Sequence, residues 1–234
     1  MNGTTPNLRI GAGALTRLPP WLMHNLLRLF YDIYTNRRLI WQLAVHDLRS
    51  RYAATLVGSL WAVIHPVVVI LVFWFISTYG LRITFDSGPP YFLFLFCGLV
   101  PWMTFNEALT GGAGAVINHA YLVKKIAFPL EILPLVSIVS ATIVHFCLVA
   151  LLTAILLVSG VHPTLAFLQV FYFLIAMIVM TAGLAWLFAA LSVFNRDVGQ
   201  ALNATMTIWF WFTPIVWPVQ NLSRSTLLIV QLNP

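Results

Sequence analysis

The chain has 234 residues, of which 61% are hydrophobic and only 8% charged, with a mean hydropathy of +0.93 and a formal net charge of +6. A soluble domain carries roughly 25% charged residues, so this composition excludes a water-soluble globule and makes the lipid bilayer the solvent for most of the chain. The basic residues sit at the ends of apolar stretches rather than in one soluble patch, which argues against nucleic acid as a partner and turns the charge into a topological signal.

Residues 1–52 form a polar and amphipathic leader, without the compact basic-then-apolar segment and small-residue cleavage site of a signal peptide. In its last part Trp41, Val45, Leu48 and Tyr52 recur at helical spacing while Arg38, Gln42, His46, Arg49 and Ser50 occupy other faces, which predicts a helix lying in the headgroup layer. Residues 53–234 form the transmembrane domain. A first span runs from about Ala53 to Tyr79, between Arg51 and Arg82, and a Gly/Pro turn at residues 86–90 leads to a second, from Tyr91 past Pro101 and Glu107 to about Ile117. Asn118 to Pro129 is a charged connector. The 64 residues from 132 to 195 contain no Asp, Glu, Lys or Arg. A spanning helix needs roughly 20 apolar residues, and Ser159-Gly160-Val161-His162-Pro163 divides this run into two spans, about Glu131 to Val158 and Thr164 to Phe194. After Asn195-Arg196-Asp197 a fifth span begins near Val198 and is broken by Pro214 and Pro218. Continuous apolar runs lack the period-2 alternation of a barrel, so the fold class is all-α: a polytopic membrane helical bundle with five visible spans and an N-terminal amphipathic interfacial helix.

Lys and Arg set the orientation. Arg9, Arg17, Arg28, Arg37, Arg38, Arg49, Arg51, Lys124, Lys125 and Arg196 lie on one side, and only Arg82 and Arg224 on the other. Ten against two places the leader and the second and fourth connectors in the cytoplasm. The expectation is therefore a multi-pass protein with a cytoplasmic N-terminus.

The same residues limit the chemistry. The chain contains no G-x-x-x-x-G-K-[ST] phosphate loop, and Gly111-Gly112-Ala113-Gly114 lacks the Lys and hydroxyl that would hold nucleotide and magnesium. No His/Cys group has metal-ligand spacing, and six scattered acids propose no acid/base pair. The expectation is no catalytic residue, no metal site and no cofactor bound by this chain. Cys97 and Cys147 read as small buried hydrophobes. Glu131 begins the third span, where a carboxylate meets the positive end of the helix dipole. Glu107 is an ionisable group within a span, which either faces the bundle interior or a water-filled path, or reaches the interface. The aromatic spans offer Trp61, Trp74, Trp102 and Trp209 as candidate lining of a path through the bundle, the alternative being an interfacial belt and packing.

Five segments in register carry a family resemblance. Asp47-Leu48-Arg49-Ser50-Arg51-Tyr52 with Leu56-Val57-Gly58-Ser59-Leu60-Trp61-Ala62 and His65-Pro66 resembles the approach to the first span of ABC-2 type export permeases, particularly those for O-antigen and related polysaccharides. Gly98-Leu99-Val100-Pro101-Trp102, Lys124-Lys125 through Phe128-Pro129 and Glu131-Ile132-Leu133-Pro134, Asn195-Arg196-Asp197, and Thr213-Pro214-Ile215 with Leu232-Asn233-Pro234 follow in the family's order, so the resemblance covers about residues 35 to 234. It implies a homodimeric permease of the bacterial inner membrane, paired with separate ATPase subunits that bind ATP and Mg, exporting a lipid-linked polysaccharide. It also implies a coupling helix in the second connector, with Tyr121, Leu122, Lys124, Lys125, Ile126 and Phe128 as the ATPase contact. Arg49, Arg51, Arg196 and Asp197 are candidates for a cytoplasmic gate or loop. Family members resemble a six-span plan with a re-entrant hairpin after the fifth span, so the expectation is a chain lacking one last span beyond Pro234. Two alternatives stay beside this reading: a teichoic-acid, capsule or small lipophile exporter, and a membrane-embedded glycan or lipid enzyme.

Overall fold

A computed structural model describes residues 20–82, 91–120, 129–158 and 165–216, with side chains described from Arg28 onward. Tyr121 to Phe128, expected as the ATPase contact, Asp86 and His162, expected in turns, and the stretch from Trp217 to Pro234 lie outside the described residues. The chain divides into two compact units, Met1–Arg37 and Arg38–Pro234. The first contains α1 (Pro20–Thr35), near whose end Asp32 faces Arg28 at 3.8 Å and its backbone carbonyl accepts from the Asn36 side chain at 2.8 Å.

The regular structure of the second unit is helical, with no strand among its described residues. It begins with α2 (Arg37–Arg51) and continues through α3 (Trp61–Phe75), α4 (Tyr91–Asn118), α5 (Leu133–Val158), α6 (Gln169–Phe194) and α7 (Asp197–Phe212). A 3₁₀ turn at Gly58–Leu60 leads into α3, and a π turn at Ile76–Gly80 extends it. Four stretches are long and apolar enough to cross a bilayer: Gly58–Gly80, Tyr91–Asn118, Leu130–Val158 and Gln169–Phe194. The second and third spans thus form where hydropathy predicts them. The first and the fourth each begin five residues later than expected, the fourth after a 3₁₀ turn at Leu165–Leu168. Thr55 donates to the Tyr52 carbonyl at 2.8 Å, the Gly58 N–H closes on the Thr55 carbonyl at 3.2 Å, and Gly58 adopts a positive φ of 62° that suits glycine. Residues 52–57 are therefore turns that separate α2 from the span.

The fifth predicted span is the 16-residue α7, shorter than the roughly 20 residues a crossing needs. It stops at Thr213, ahead of Pro214, and the chain folds back so that Ile215 and Val216 are buried against the start of α4. There the Tyr91 hydroxyl donates to the Val216 carbonyl at 2.5 Å.

Successive spans run antiparallel, as short connections require, and α4 is the helix around which α5, α6, α3 and α7 pack. Its glycines explain the closeness. A Cβ on Gly112 would lie 2.8 Å from the Ala185 Cβ of α6, and one on Gly111 would lie 3.2 Å from the Ser137 Cβ of α5. Helices in lipid gain little from burying apolar surface against one another, and small residues that let backbones approach supply the contact instead. The Gly111–Gly114 run is thus a packing surface. Threonines within the spans satisfy their hydroxyls on the preceding turn, as Thr142, Thr153 and Thr181 do at 2.6–2.8 Å from the carbonyls of Ile138, Val149 and Met177.

One local expectation is corrected. Cys97 and Cys147 are exposed on the outside of the bundle, which in a membrane is still an apolar environment because lipid covers it. On α2 the buried residues are Ile40 and Ala44, while Trp41 is 55% exposed. Leu48 and Tyr52 of the Trp41–Val45–Leu48–Tyr52 stripe also pack against the bundle, and Trp41 is left for an interfacial environment.

Candidate functional site

Helix α2 docks on α4 and α5 through polar groups. The Ser140 hydroxyl on α5 lies 3.0 Å from the Ala44 carbonyl and 3.1 Å from Asp47 Oδ2. Asp47 also receives Arg51 Nη2 at 2.8 Å, one turn along α2, and Arg51 Nη1 reaches Glu107 Oε1 on α4 at 2.5 Å. The guanidinium passes beside Gly111, where a Cβ would meet it at 3.8 Å, an ordinary van der Waals distance. Burial works against the charge on Arg51, but Asp47, by charge and hydrogen bond, and Glu107, by charge, outweigh it and hold the guanidinium above its ordinary pKa. Burial likewise raises the Tyr52 phenol, reinforced by the Glu107 carboxylate and opposed by Arg51. Glu107 therefore faces α2, and its partner lies 56 residues earlier in the chain.

From this cluster a cavity of about 460 Å³ leads between α3, α4, α5 and α7. Arg51, Tyr52, His65, Asn106, Glu107 and Thr110 line its polar part, and Phe73, Leu99, Trp102, Val144, Leu148 and Phe210 line its apolar part. The aromatic wall is continuous. Trp102 contacts Phe105, Trp209 and Phe210 at centroid distances of 6.0, 6.1 and 5.6 Å, and Phe210 contacts Phe73 at 5.8 Å. Edge-to-face and tilted contacts of this kind fix ring orientation.

Thr104 lies on the cavity wall and joins it to a second layer. Its hydroxyl donates to the Val100 carbonyl at 2.9 Å, so the contact of 3.0 Å with His145 Nδ1 requires the imidazole to donate. That assigns the proton to Nδ1 and leaves Nε2 an acceptor, without a partner among the described residues, on a side chain 3% exposed.

The structure brings together some of the predicted site residues. Trp102 and Trp209 share one aromatic group, whereas Trp74 packs with Phe92 and Tyr79 in another, and Trp61 joins neither. Arg51 belongs to the ion cluster, while Arg49 is exposed without an ion pair among the described residues. Arg196 and Asp197 open α7, where the capping contact comes from Asn195 Oδ1, which accepts the Asp197 N–H at 2.9 Å. Glu131 lies in the 3₁₀ turn before α5, and its carbonyl accepts Trp186 Nε1 at 2.8 Å. Asn106, Thr110 and Ser140 carry no sequence motif, and the motif that includes His65 assigns it no role. Only their helical phase relative to Glu107 and Arg51 could have drawn attention to them.

A bundle of apolar helices built on a glycine-rich central span, with an amphipathic helix latched to it by ion pairs, defines a polytopic helical membrane protein. Residues 38–234 match the family model described as ABC-2 type transporter, and the chain belongs to that family. It is 29% identical over 212 residues to the O-antigen export system permease protein RfbA of Myxococcus xanthus, a match that covers 89% of this chain and 80% of that protein. Two Klebsiella pneumoniae proteins of the same name are 28% and 27% identical over 189 residues, 80% of this chain and 72% of theirs.

Proposed function

We propose that the chain is the transmembrane permease subunit of an ABC exporter that moves a lipid-linked, O-antigen-like polysaccharide across a bacterial inner membrane. The observation that carries this reading is the unbroken family match from residue 38 to 234, together with relatives named as O-antigen export permeases that align over most of both chains. In this reading the permease works as a homodimer with its N-terminus in the cytoplasm. ATP and Mg are bound by a separate ATPase, which docks on Tyr121, Leu122, Lys124, Lys125, Ile126 and Phe128. Arg49, Arg196 and Asp197 lie on the same side as that contact. The aromatic wall supports a glycan cargo, since ring faces accommodate sugar C–H faces without strong, trapping hydrogen bonds.

The test is complementation of a strain lacking the gene, with surface polysaccharide and ATPase co-purification read together. Wild type restores both. Lys124→Glu combined with Phe128→Ala lowers both while the permease stays in the membrane. Normal export and normal co-purification in that variant would remove the coupling assignment, and a wild-type gene that restores no surface glycan would remove the function.

A further inference from the structure

We propose that the cavity between α3, α4, α5 and α7 is a monosaccharide-binding subsite contained within one protomer, which takes a neutral sugar ring of the cargo. The inference rests on the glycan-export reading and adds to it a place and a chemistry. Size is the first ground: about 460 Å³ lies within the range of roughly 300–1,000 Å³ that small-ligand pockets occupy, and it accommodates one or two sugar rings but no longer chain.

The lining is the second. A pyranose presents hydroxyls around its edge and C–H groups on its faces, so a site for it needs planar polar groups on one side and an aromatic surface on the other. Glu107, Arg51, Asn106 and His65 supply the polar groups, and Trp102 with Phe210 the aromatic surface, all on one cavity. Neighbouring ring contacts hold Trp102 on several sides, so the surface is preorganised.

Charge decides between a sugar and the other polar ligand a lipid-linked glycan offers, its phosphate. Arg51 is already shared by two carboxylates, Asp47 and Glu107, so the cluster has one more negative group than positive. A phosphate would lie beside Glu107 and compete with both carboxylates for a single guanidinium, whereas a hydroxyl can donate to Glu107 and accept from Arg51 without disturbing the pair. The same ion pair fixes the two side chains at the polar part of the cavity. Thr104, held by His145 from behind, is a positioning element of the wall rather than a ligand contact.

The test uses the full-length permease with its ATPase in zwitterionic-lipid nanodiscs. Cys97 and Cys147 are replaced, and one reporter thiol is introduced as Thr110→Cys or, in a second protein, Met103→Cys, both on the cavity lining. Labelling by a small maleimide is followed with octyl glucoside, methyl glucoside or octyl phosphate, each below its critical micelle concentration. Octyl glucoside is expected to slow labelling at least fivefold, and methyl glucoside to do so at higher concentration, because the ring is recognised and the chain adds only membrane partitioning. Octyl phosphate is expected to leave the rate within twofold. Trp102→Leu should raise the protecting concentration of glucoside about tenfold. Equal or stronger protection by octyl phosphate would overturn the proposal in favour of an anion site. Protection by neither would overturn it as well. Surface-glycan complementation by the wild-type gene is scored separately, so loss of the subsite does not count as loss of the export reading.

Discussion

Helices α3 and α4 are antiparallel neighbours, yet 44% of the most apolar stretch of α4 is buried in the bundle against 17% for the span containing α3. The less apolar of the two is the inner one. In water the order would be reversed, because burial follows hydrophobicity there. In lipid an apolar surface gains nothing by turning inward, and position is decided by groups lipid cannot satisfy and by residues small enough to let helices approach. Helix α4 carries Gly111, Gly112, Thr104, Asn106 and Glu107, and each finds protein around it. Helix α3 presents Val68, Leu71, Val72 and Phe75 outward, a face suited to lipid or to a second copy of the chain.

The largest effect that would break or sharpen this contrast is expected at Gly112. Gly112→Leu forces α4 and α6 apart and should cost about 1–3 kcal/mol or more, whereas Gly183→Leu on α6, where a Cβ meets nothing within 4 Å, should stay within about 0.5 kcal/mol. Thermal scanning of the purified proteins reads the difference, and equal losses would show that close approach is not what centres α4.

A smaller effect is expected for the α2 latch. Both side chains of the Arg51–Glu107 pair are about a third exposed, so solvent screens them, and a double-mutant cycle with Arg51→Met and Glu107→Gln should give a coupling of about 0.5–1 kcal/mol. A coupling near zero would make the contact a neighbourhood rather than a latch. The smallest effect belongs to α3: Val72→Ala, at a half-exposed side chain, should change stability by less than about 0.5 kcal/mol. A larger loss, seen only at protein concentrations that support dimers, would mark this face as covered by a partner.

Much of this fold is legible in the sequence, for reasons specific to membranes. Both ends of α4 and α5 and the C-terminal end of α6 follow hydropathy and turn residues closely, because a span must be long, apolar and interrupted only where it leaves the bilayer. The start of α3 is not legible in the same way, since Ala53 and Ala54 are apolar enough to belong to a span and only the Thr55–Gly58 turn excludes them. The site is less legible still. An acid inside a span signals that Glu107 has a task, but its partner Arg51 is 56 residues away, and neither composition nor periodicity pairs them. The four tryptophans carry one sequence signature and three different environments, because a side chain's surroundings depend on the rotation of its helix, which an all-round apolar sequence does not encode. On α2, Leu48 and Tyr52 pack against the bundle while Trp41 of the same stripe stays outside, a division that helical spacing alone does not encode.

The central claim is that this chain conducts a lipid-linked glycan when driven by a separate ATPase. Inverted membrane vesicles that contain the full gene product and its ATPase, loaded on the outer face with radiolabelled lipid-linked glycan, test it through protection of the label from an added glycosidase. Protection should grow with time, require ATP and fall to background when the ATPase carries a hydrolysis-dead substitution. Protection that is independent of ATP, or absent from vesicles in which the assembled complex is present, would contradict the account.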